Sequence, residues 1–339
     1  MRVTPRADHD PEMSPSETLG ASRAAIEHHY DVGRDFYALW LDPDLVYSCA
    51  MWPDGSPLDG DLETAQRTKM SWHAESAHAD GAARVLDVGC GWGALARYLV
   101  AERDVDHVTG LTLSADQASH VRSSAAAAAP GSGRGGIDVR LEDWRDHRPS
   151  ALYDAIVSVG AFEHFARHDL GRTERRAVYR SFFDTTAGWI KLGGWMSLQT
   201  IAYDDADPEK VRNFDFLTEE IFPESGLPTL ADVVVAAEPT WRIARLRADP
   251  GHYSATLRIW QDRLEANREA ATGLVGRSTY RRYARYLRLC RALFDQRACT
   301  LYRLSLQRRG AAASPELGAT PKSAASTTER AVSASEKQP

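Results

Sequence analysis

The sequence predicts an α/β fold, a mostly parallel sheet with helices covering both faces. Three observations predict it. Between residues 84 and 201, short apolar runs alternate with stretches of helical spacing, a pattern that sets strands side by side and sends each connection over a face of the sheet. The first apolar run ends in the turn Gly89-Cys90-Gly91-Trp92-Gly93, which opens directly into a helical stretch. No fixed-period repeat is present, which argues against a solenoid.

The elements are justified in order. Helical spacing at residues 22–41 and 62–77 precedes the first strand, 84–89, and its helix, 94–103. A second strand at 107–113 and helix at 115–129 lead to a third strand at 137–141 and a fourth at 153–160. The Ala- and Gly-rich stretch 123–136 falls inside this alternation and reads as a floppy surface loop. A helix at 174–189, a glycine turn at Gly193-Gly194 and a fifth strand at 195–201 complete the regular part. Beyond it come a long segment with Asn213, Pro223 and Pro228, helices at 230–237, 252–268 and 279–295, and a last strand at 300–306. The expected organisation is a disordered start (1–20), a helical cap (21–80), a ligand-binding core (81–201), a substrate-binding insertion with carboxy-terminal helices and strand (202–310) and a disordered tail (311–339). The cap and insertion are placed to roof the carboxyl edge of the sheet, where open α/β folds bind ligands.

Composition narrows the function. The 339 residues, 43% hydrophobic and 26% charged, suffice for a sizeable core. No apolar run reaches the ~18 residues of a membrane span, and the polar start lacks the apolar centre of a secretory signal. A cytoplasmic protein is expected, with peripheral membrane contact left open. A net charge of −6 argues against nucleic acid, whose backbone demands a positive surface. Arginines crowd residues 277–309, a local feature suited to the solvated face of a helix, an anionic lipid surface or an acidic carrier protein. Cys49, Cys90, Cys290 and Cys299 are scattered without a C-x-x-C pair, so neither a disulfide framework nor a structural zinc site is indicated. No metal is expected, because His164 has no second ligand at suitable spacing.

The glycine turn carries the chemistry. In Asp87-Val88-Gly89-Cys90-Gly91-Trp92-Gly93 the glycines allow a tight turn and close approach to a ligand, whose carboxylate the following helix start favours. The spacing is G-x-G-x-G, unlike the dinucleotide G-x-G-x-x-G, and no glycine run ends in Lys-Ser or Lys-Thr. S-adenosylmethionine fits this pattern better than NAD or ATP.

Taken with other segments, the stretch resembles the cyclopropane fatty acid synthases and the mycolic acid cyclopropane synthases and methyltransferases. The matching pieces are His29-Tyr30-Asp31-Val32-Gly33 with Asp35-Phe36-Tyr37, Leu41-Asp42-Pro43, Tyr47-Ser48-Cys49-Ala50, Leu111-Thr112-Leu113-Ser114 with Gln117, Val157 through His164, Ile221-Phe222-Pro223, and Tyr286 with Cys290. The resemblance implies a Rossmann-like class I S-adenosylmethionine-dependent methyltransferase: a seven-stranded, mostly parallel sheet under a helical cap. It implies that Tyr47 and Ser48, with Gly89 and Gly91, hold the donor's amino acid end, and that Asp87, Cys90 and Gly93 belong to the same loop. Most methyltransferases of this fold bind the ribose through an acid after the second strand. Here that place reads Thr112-Leu113-Ser114, leaving Gln117 as the ribose partner. Trp144 and Arg145 match positions that flank the adenine.

An alkene has no proton for a base to remove, so its attack on a sulfonium methyl depends on alignment in a dry pocket and leaves a carbocation. Aromatic faces stabilise such a cation, and Tyr30, Phe162, Phe222, Tyr253 and Tyr286 are the candidates for that wall. Closing a cyclopropane ring then requires a base. The resemblance implies a bound bicarbonate, held by positions corresponding to Cys49, Glu163, Ile201, Tyr253 and a histidine. In this chain the histidine is replaced by Gln199, which cannot take up charge near neutral pH, so carbon methylation is better supported than ring closure. A Gln199→His change is expected to move product toward a ring. Tyr283, Tyr286, Leu287, Cys290, Leu293 and Phe294 recur at three-four spacing, which buries Cys290 on a helix stripe. The resemblance proposes that cysteine for the active site, whereas burial without a basic neighbour makes a thiol inert.

The expected substrate is an unsaturated acyl chain, carried by an acyl carrier protein or presented by lipid. A secondary metabolite such as a polyketide or aromatic ring is the alternative, and a non-catalytic donor- or lipid-binding module is a third.

Overall fold

The computed structural model describes residue 20 and residues 32–56, 58–128, 136–205 and 224–310. Seven strands form one sheet: β1 (Val85–Val88), β2 (His107–Thr112), β3 (Gly136–Leu141), β4 (Tyr153–Val159), β5 (Ile190–Tyr203), β6 (Trp241–Ala248) and β7 (Cys299–Arg308), in the order β3-β2-β1-β4-β5-β7-β6. Strands β1 to β5 are parallel, and β7 runs antiparallel between β5 and β6. All four residues of β1 are buried, Asp87 included, as a strand covered on both faces requires. The chain winds outward from β1 to β3, then returns to β4 on the other side. That reversal opens a crevice at the carboxyl ends of β1 and β4.

Helix α1 (Arg34–Tyr37) is short; α2 (Leu62–Ser76) is capped by Asp61, whose carboxylate accepts from the Thr64 amide at 2.9 Å. Its covered stripe runs Leu62, Ala65, Gln66, Lys69, Met70, His73, Ala74 and is unusual in carrying three polar side chains. Helix α3 (Ala94–Glu102) starts from Gly93 in the left-handed region, and α4 (Ala115–Ala128) follows β2. After a single 3-10 turn, Phe162–His164, come α5 (Arg172–Trp189), α6 (Leu230–Ala237), α7 (Pro250–Ala266) and α8 (Arg268–Asp295). One apolar cluster joins α5 to the sheet through Phe162, Tyr179, Phe182 and Phe183; another packs α1, α7 and α8 around Trp40, Trp260 and Tyr283.

Several elements differ from expectation. The glycine turn lies inside β5: Tyr153 pairs with Ile190 and Ala155 with Trp195, so the extra residues around Gly193, at φ +74°, form a bulge within one strand. Strand β6 was not expected, because arginines stud this sheet edge and a register shift between Ile243 and Arg245 breaks its alternation. Helix α8 begins earlier than the spacing indicates and kinks at Gly276, whose φ of 79° and ψ of 161° are not helical. Helix α4 runs to Ala128, in line with the helix expected at 115–129, and so takes in the first part of the stretch 123–136 that also read as a loop. Of the helix expected at 22–41, residues 22–31 lie outside the described residues, as do 1–19 and 311–339.

Candidate active site

The crevice holds a cavity at the tips of β1, β2 and β4, lined among others by Tyr47, Ser48, Lys69, Asp87, Gly89, Cys90, Gly91, Thr112, Leu113, Gln117, Trp144 and Arg145. The amides of Gly89 and Cys90 both donate to Leu111 O, at 3.0 and 2.9 Å, tying the turn to β2. Gly89 has φ +80°, and a Cβ there would stand 2.4 Å from Ala161 Cβ, so only glycine lets the loops after β1 and β4 meet. Two expected residues sit behind the lining. Gly93 caps α3, and Ser114 Oγ accepts from the Gln117 amide at 3.2 Å, capping α4. Gln117 is held at the end of β2 by Thr112 Oγ1, which donates to its Oε1 at 2.8 Å and leaves the amide nitrogen as the donor end. Arg145 lies 4.6 Å over the Trp144 ring and donates to Phe165 O at 2.7 Å, bracing an indole whose buried N–H has no partner among the described residues.

The amino-acid end of the donor finds matching groups. Asp87 Oδ2 is buried without a hydrogen-bond partner among the described residues, and burial raises its carboxyl to about 7 against the pull of Lys69. Lys69 Nζ donates to Ser48 Oγ at 2.8 Å. An orphaned carboxylate, a cation-backed hydroxyl and a glycine approach at a helix start suit a zwitterionic amino acid.

Glu163 stands on the 3-10 turn just beyond β4. It is 5% exposed, its Oε2 accepts from Thr200 Oγ1 at 3.2 Å, and burial raises it to about 7. Gly160 lies between it and Ser48: a Cβ there would be 3.8 Å from Glu163 Oε1 and 3.9 Å from Ser48 Cβ. Ile201 and Tyr253 belong to the apolar cluster that also contains Cys49.

Gln199 departs from its expected place. Successive residues of a strand face opposite sides, so when Thr200 meets Glu163, Gln199 turns to the α2 face. There its Oε1 accepts from Arg303 Nε at 2.9 Å and lies 3.3 Å from His73 Nε2. His73, kept neutral by burial and by Lys69 and Arg303, meets Ser197 Oγ at 2.8 Å through Nδ1. Arg303, fully buried, also donates to Cys49 O at 3.2 Å and Ala50 O at 3.0 Å, and it pairs with Asp249. The amide oxygen of Gln199 is therefore spent within the sheet, on the face away from Glu163, so Gln199 and Glu163 do not face one anion together. Cys49 Sγ is 3.4 Å from Arg303 and donates to Ala50 O; burial pushes its thiol up to about 11.

The expected aromatic wall is only partly assembled. Tyr30 and Phe222 lie outside the described residues. Phe162 stacks on Tyr179 with centroids 4.6 Å apart and packs against Phe165, Phe182 and Phe183; it is core beneath α5, and Phe165 reaches the cavity instead. Tyr253 packs on Phe294, and Tyr286 accepts from the Tyr47 hydroxyl at 3.1 Å. Cys290 follows one turn after Tyr286 and is half-buried rather than fully buried as expected; desolvation still raises its thiol.

Sequence reasoning missed Lys69, His73, Asp249 and Arg303. For the first two a signal existed: Gln66, Lys69 and His73 share the three-four spacing of the covered stripe of α2, where polar side chains need a reason. Tyr37, Trp40 and Trp260, whose rings pack on Tyr47, were also missed as a cluster, because they come from segments far apart in sequence.

The mycolic acid cyclopropane synthetase family model matches residues 18–304. Cyclopropane mycolic acid synthase 2 of Mycobacterium bovis is 34% identical over 285 residues, covering 80% of this chain and 89% of that protein. Hydroxymycolate synthase MmaA4 of the same organism is 33% identical, covering 85% and 93%. The crystal structure of mycolic acid cyclopropane synthase CmaA1 complexed with SAH and CTAB superposes with a TM-score of 0.74 at 31% identity, over 86% of this chain and 99% of that one. On fold, donor cavity and family match together, the chain belongs to the mycolic acid cyclopropane synthetase family and is an S-adenosylmethionine-dependent enzyme of the methyltransferase class.

Proposed function

We propose that the enzyme methylates a carbon–carbon double bond of an unsaturated acyl chain. The observation that carries this is the aromatic enclosure beside the donor cavity: Tyr47 lines the cavity, and its ring lies 5.3 Å from Tyr37, 5.3 Å from Trp40 and 5.4 Å from Trp260. S-adenosylmethionine, when bound, supplies an electrophilic methyl on sulfur. The alkene pair forms the new carbon–carbon bond as the carbon–sulfur bond breaks, which leaves a positive charge on the neighbouring carbon. Such a cation survives where ring faces stabilise it and water is excluded. Tyr253 and Tyr286 are the described aromatics nearest this task in our reading, with Tyr30 and Phe222 outside the described residues.

Glu163 is the group we assign to the proton that must then leave. Its acidity near neutrality suits it to accept a proton at working pH, and Thr200 orients it. No step is routed through bicarbonate. Cys49 and Ile201 shape the chamber, and Cys290 has no chemical part. Gln117, Trp144 and Arg145 hold the ribose and adenine side of the donor, with Leu113 beneath. The acyl chain arrives on an acidic carrier protein or from an anionic lipid surface, in keeping with exposed Arg277, Arg281, Arg285 and Arg288 on α8. No helix among the described residues is long and apolar enough to cross a membrane.

The test is methyl-labelled S-adenosylmethionine incubated with the enzyme and bacterial lipid extract, followed by mass analysis. Label in acyl chains one methylene unit heavier supports the proposal. Label confined to a polyketide or aromatic acceptor overturns it in favour of a secondary-metabolite substrate, and no SAH production at all overturns catalysis.

A further inference from the structure

A lysine sits where none was expected. Lys69 lies in the covered stripe of α2, is 3% exposed, and borders the donor cavity together with Ser48 and Asp87. Burying an ammonium is costly, so its place needs a compensating partner. It donates to a neutral group, Ser48 Oγ, at 2.8 Å. Asp42, an acid that acts on it from the segment after α1, is already engaged as acceptor of the Val46 amide at 2.8 Å. Asp87, from β1, leaves one carboxylate oxygen unpartnered. From β7 comes Arg303, a second cation, and from the same helix His73, which is neutral.

Geometry on Ser48 is decisive. A serine hydroxyl has one proton; with its oxygen accepting from Lys69, the O–H is released to donate into the cavity. The cavity thus presents a donor backed by a cation on one side and an unsatisfied carboxylate on the other. We propose that Lys69 is a positioning residue that reads the carboxylate of the methyl donor, by its charge and through the Ser48 hydroxyl it orients, while Asp87 receives the donor's ammonium. This rests on the donor assignment above and extends it to Lys69, whose role no sequence motif announces.

A proton linkage follows. Desolvation first, then Arg303, holds Lys69 down to about 7, against Asp42, Cys49 and Asp87. At pH 8 the empty site therefore carries mainly neutral lysine. Bringing up a carboxylate restores the charged form, so binding takes up a proton. Asp87, also near 7, is already ionised at pH 8 and contributes little there.

Isothermal titration of the full-length protein with SAH at pH 8, in buffers of different ionisation heat, tests this. 5′-Methylthioadenosine, which lacks the amino acid end, is the companion ligand. Wild type is expected to take up most of one proton with SAH and almost none with methylthioadenosine. Lys69→Met should abolish the uptake and weaken SAH roughly 10- to 100-fold, while methylthioadenosine binds as before, which shows the fold and nucleoside site intact. Lys69→Arg, always charged, should retain binding better than methionine but show no uptake. SAH binding by wild type without proton uptake, or an unchanged SAH affinity in Lys69→Met, overturns the role of Lys69 and leaves the donor assignment standing. Equal losses for both ligands in Lys69→Met also overturn it. Failure of wild type to bind SAH overturns both.

Discussion

Replacing Arg303 by methionine removes a guanidinium that joins three parts of the molecule. Its Nε serves Gln199 Oε1 at 2.9 Å on β5, and one terminal nitrogen serves Cys49 O at 3.2 Å and Ala50 O at 3.0 Å in the segment that lines the cavity. The other terminal nitrogen pairs with Asp249. Asp249 is not stranded by the change, because Arg247 donates to both its oxygens, at 3.1 and 3.0 Å. The loss therefore falls hardest on Cys49 O, because Gln199 Oε1 keeps His73 Nε2 at 3.3 Å and Ala50 O keeps the Cys49 thiol; a buried acceptor left unsatisfied costs about 1–3 kcal/mol. Relaxation offsets part of this, and Asp249 keeps Arg247, so no buried charge is left unpaired and about 1–3 kcal/mol is the expected total. Against a stability of about 5–15 kcal/mol this is a large fraction. Equilibrium urea unfolding, without ligand, measures it. SAH affinity should fall too, since Tyr47 and Ser48 precede the anchored carbonyls. A stability loss under about 1 kcal/mol would refute the reasoning, because it would mean water or rearrangement satisfies these acceptors.

Other substitutions probe the remaining parts. Glu163→Gln should abolish or sharply reduce turnover, by about 100-fold or more if the residue accepts the proton, and wild-type activity should rise as pH passes about 7, measured as SAH release. The same residue sets a stability trend. Because its folded acidity is raised, the native state retains a proton that the unfolded chain loses between about 4.5 and 7, so stability falls over that window; Glu163→Gln should flatten it in unfolding curves taken at several pH values. Gly89→Ala places a methyl 2.4 Å from Ala161 Cβ at φ +80°, and SAH titration should show at least a tenfold loss of affinity. Gln199→His removes the acceptor of Arg303 and lies on the face away from Glu163, so thermal stability should drop while the ratio of cyclopropane to methyl product stays put; a gain of ring product would show that position 199 reaches the chemistry after all.

Much of the fold was legible because its signals are local. The turn at Gly89 to Gly93 needs left-handed backbone at three nearby glycines, and the apolar run before it has to be a buried strand, so sequence spacing alone placed the loop. Strand β6 was illegible for the opposite reason: an edge strand need only half bury itself, and Arg242, Arg245 and Arg247 replace the usual alternation. The bulge in β5 escaped notice because Gly193-Gly194 reads equally as a turn or as an irregular strand, and only pairing with β4 decides. Phe162 and Gln199 show the limit for side chains. The residue before a site and the residue in it differ by one position, but on a strand or tight turn that step changes which face they serve.

By itself, the sequence determined the α/β alternation, the donor loop and the family, since each is written in contiguous residues whose backbone demands or spacing admit few alternatives. Tertiary structure alone decided that Arg303 holds the Cys49 and Ala50 carbonyls, that Gln199 answers to Arg303 and His73, and that Lys69 stands behind Ser48. Those pairings join residues from 21 to 254 positions apart, and buried charge is tolerated only where such distant partners converge to satisfy it.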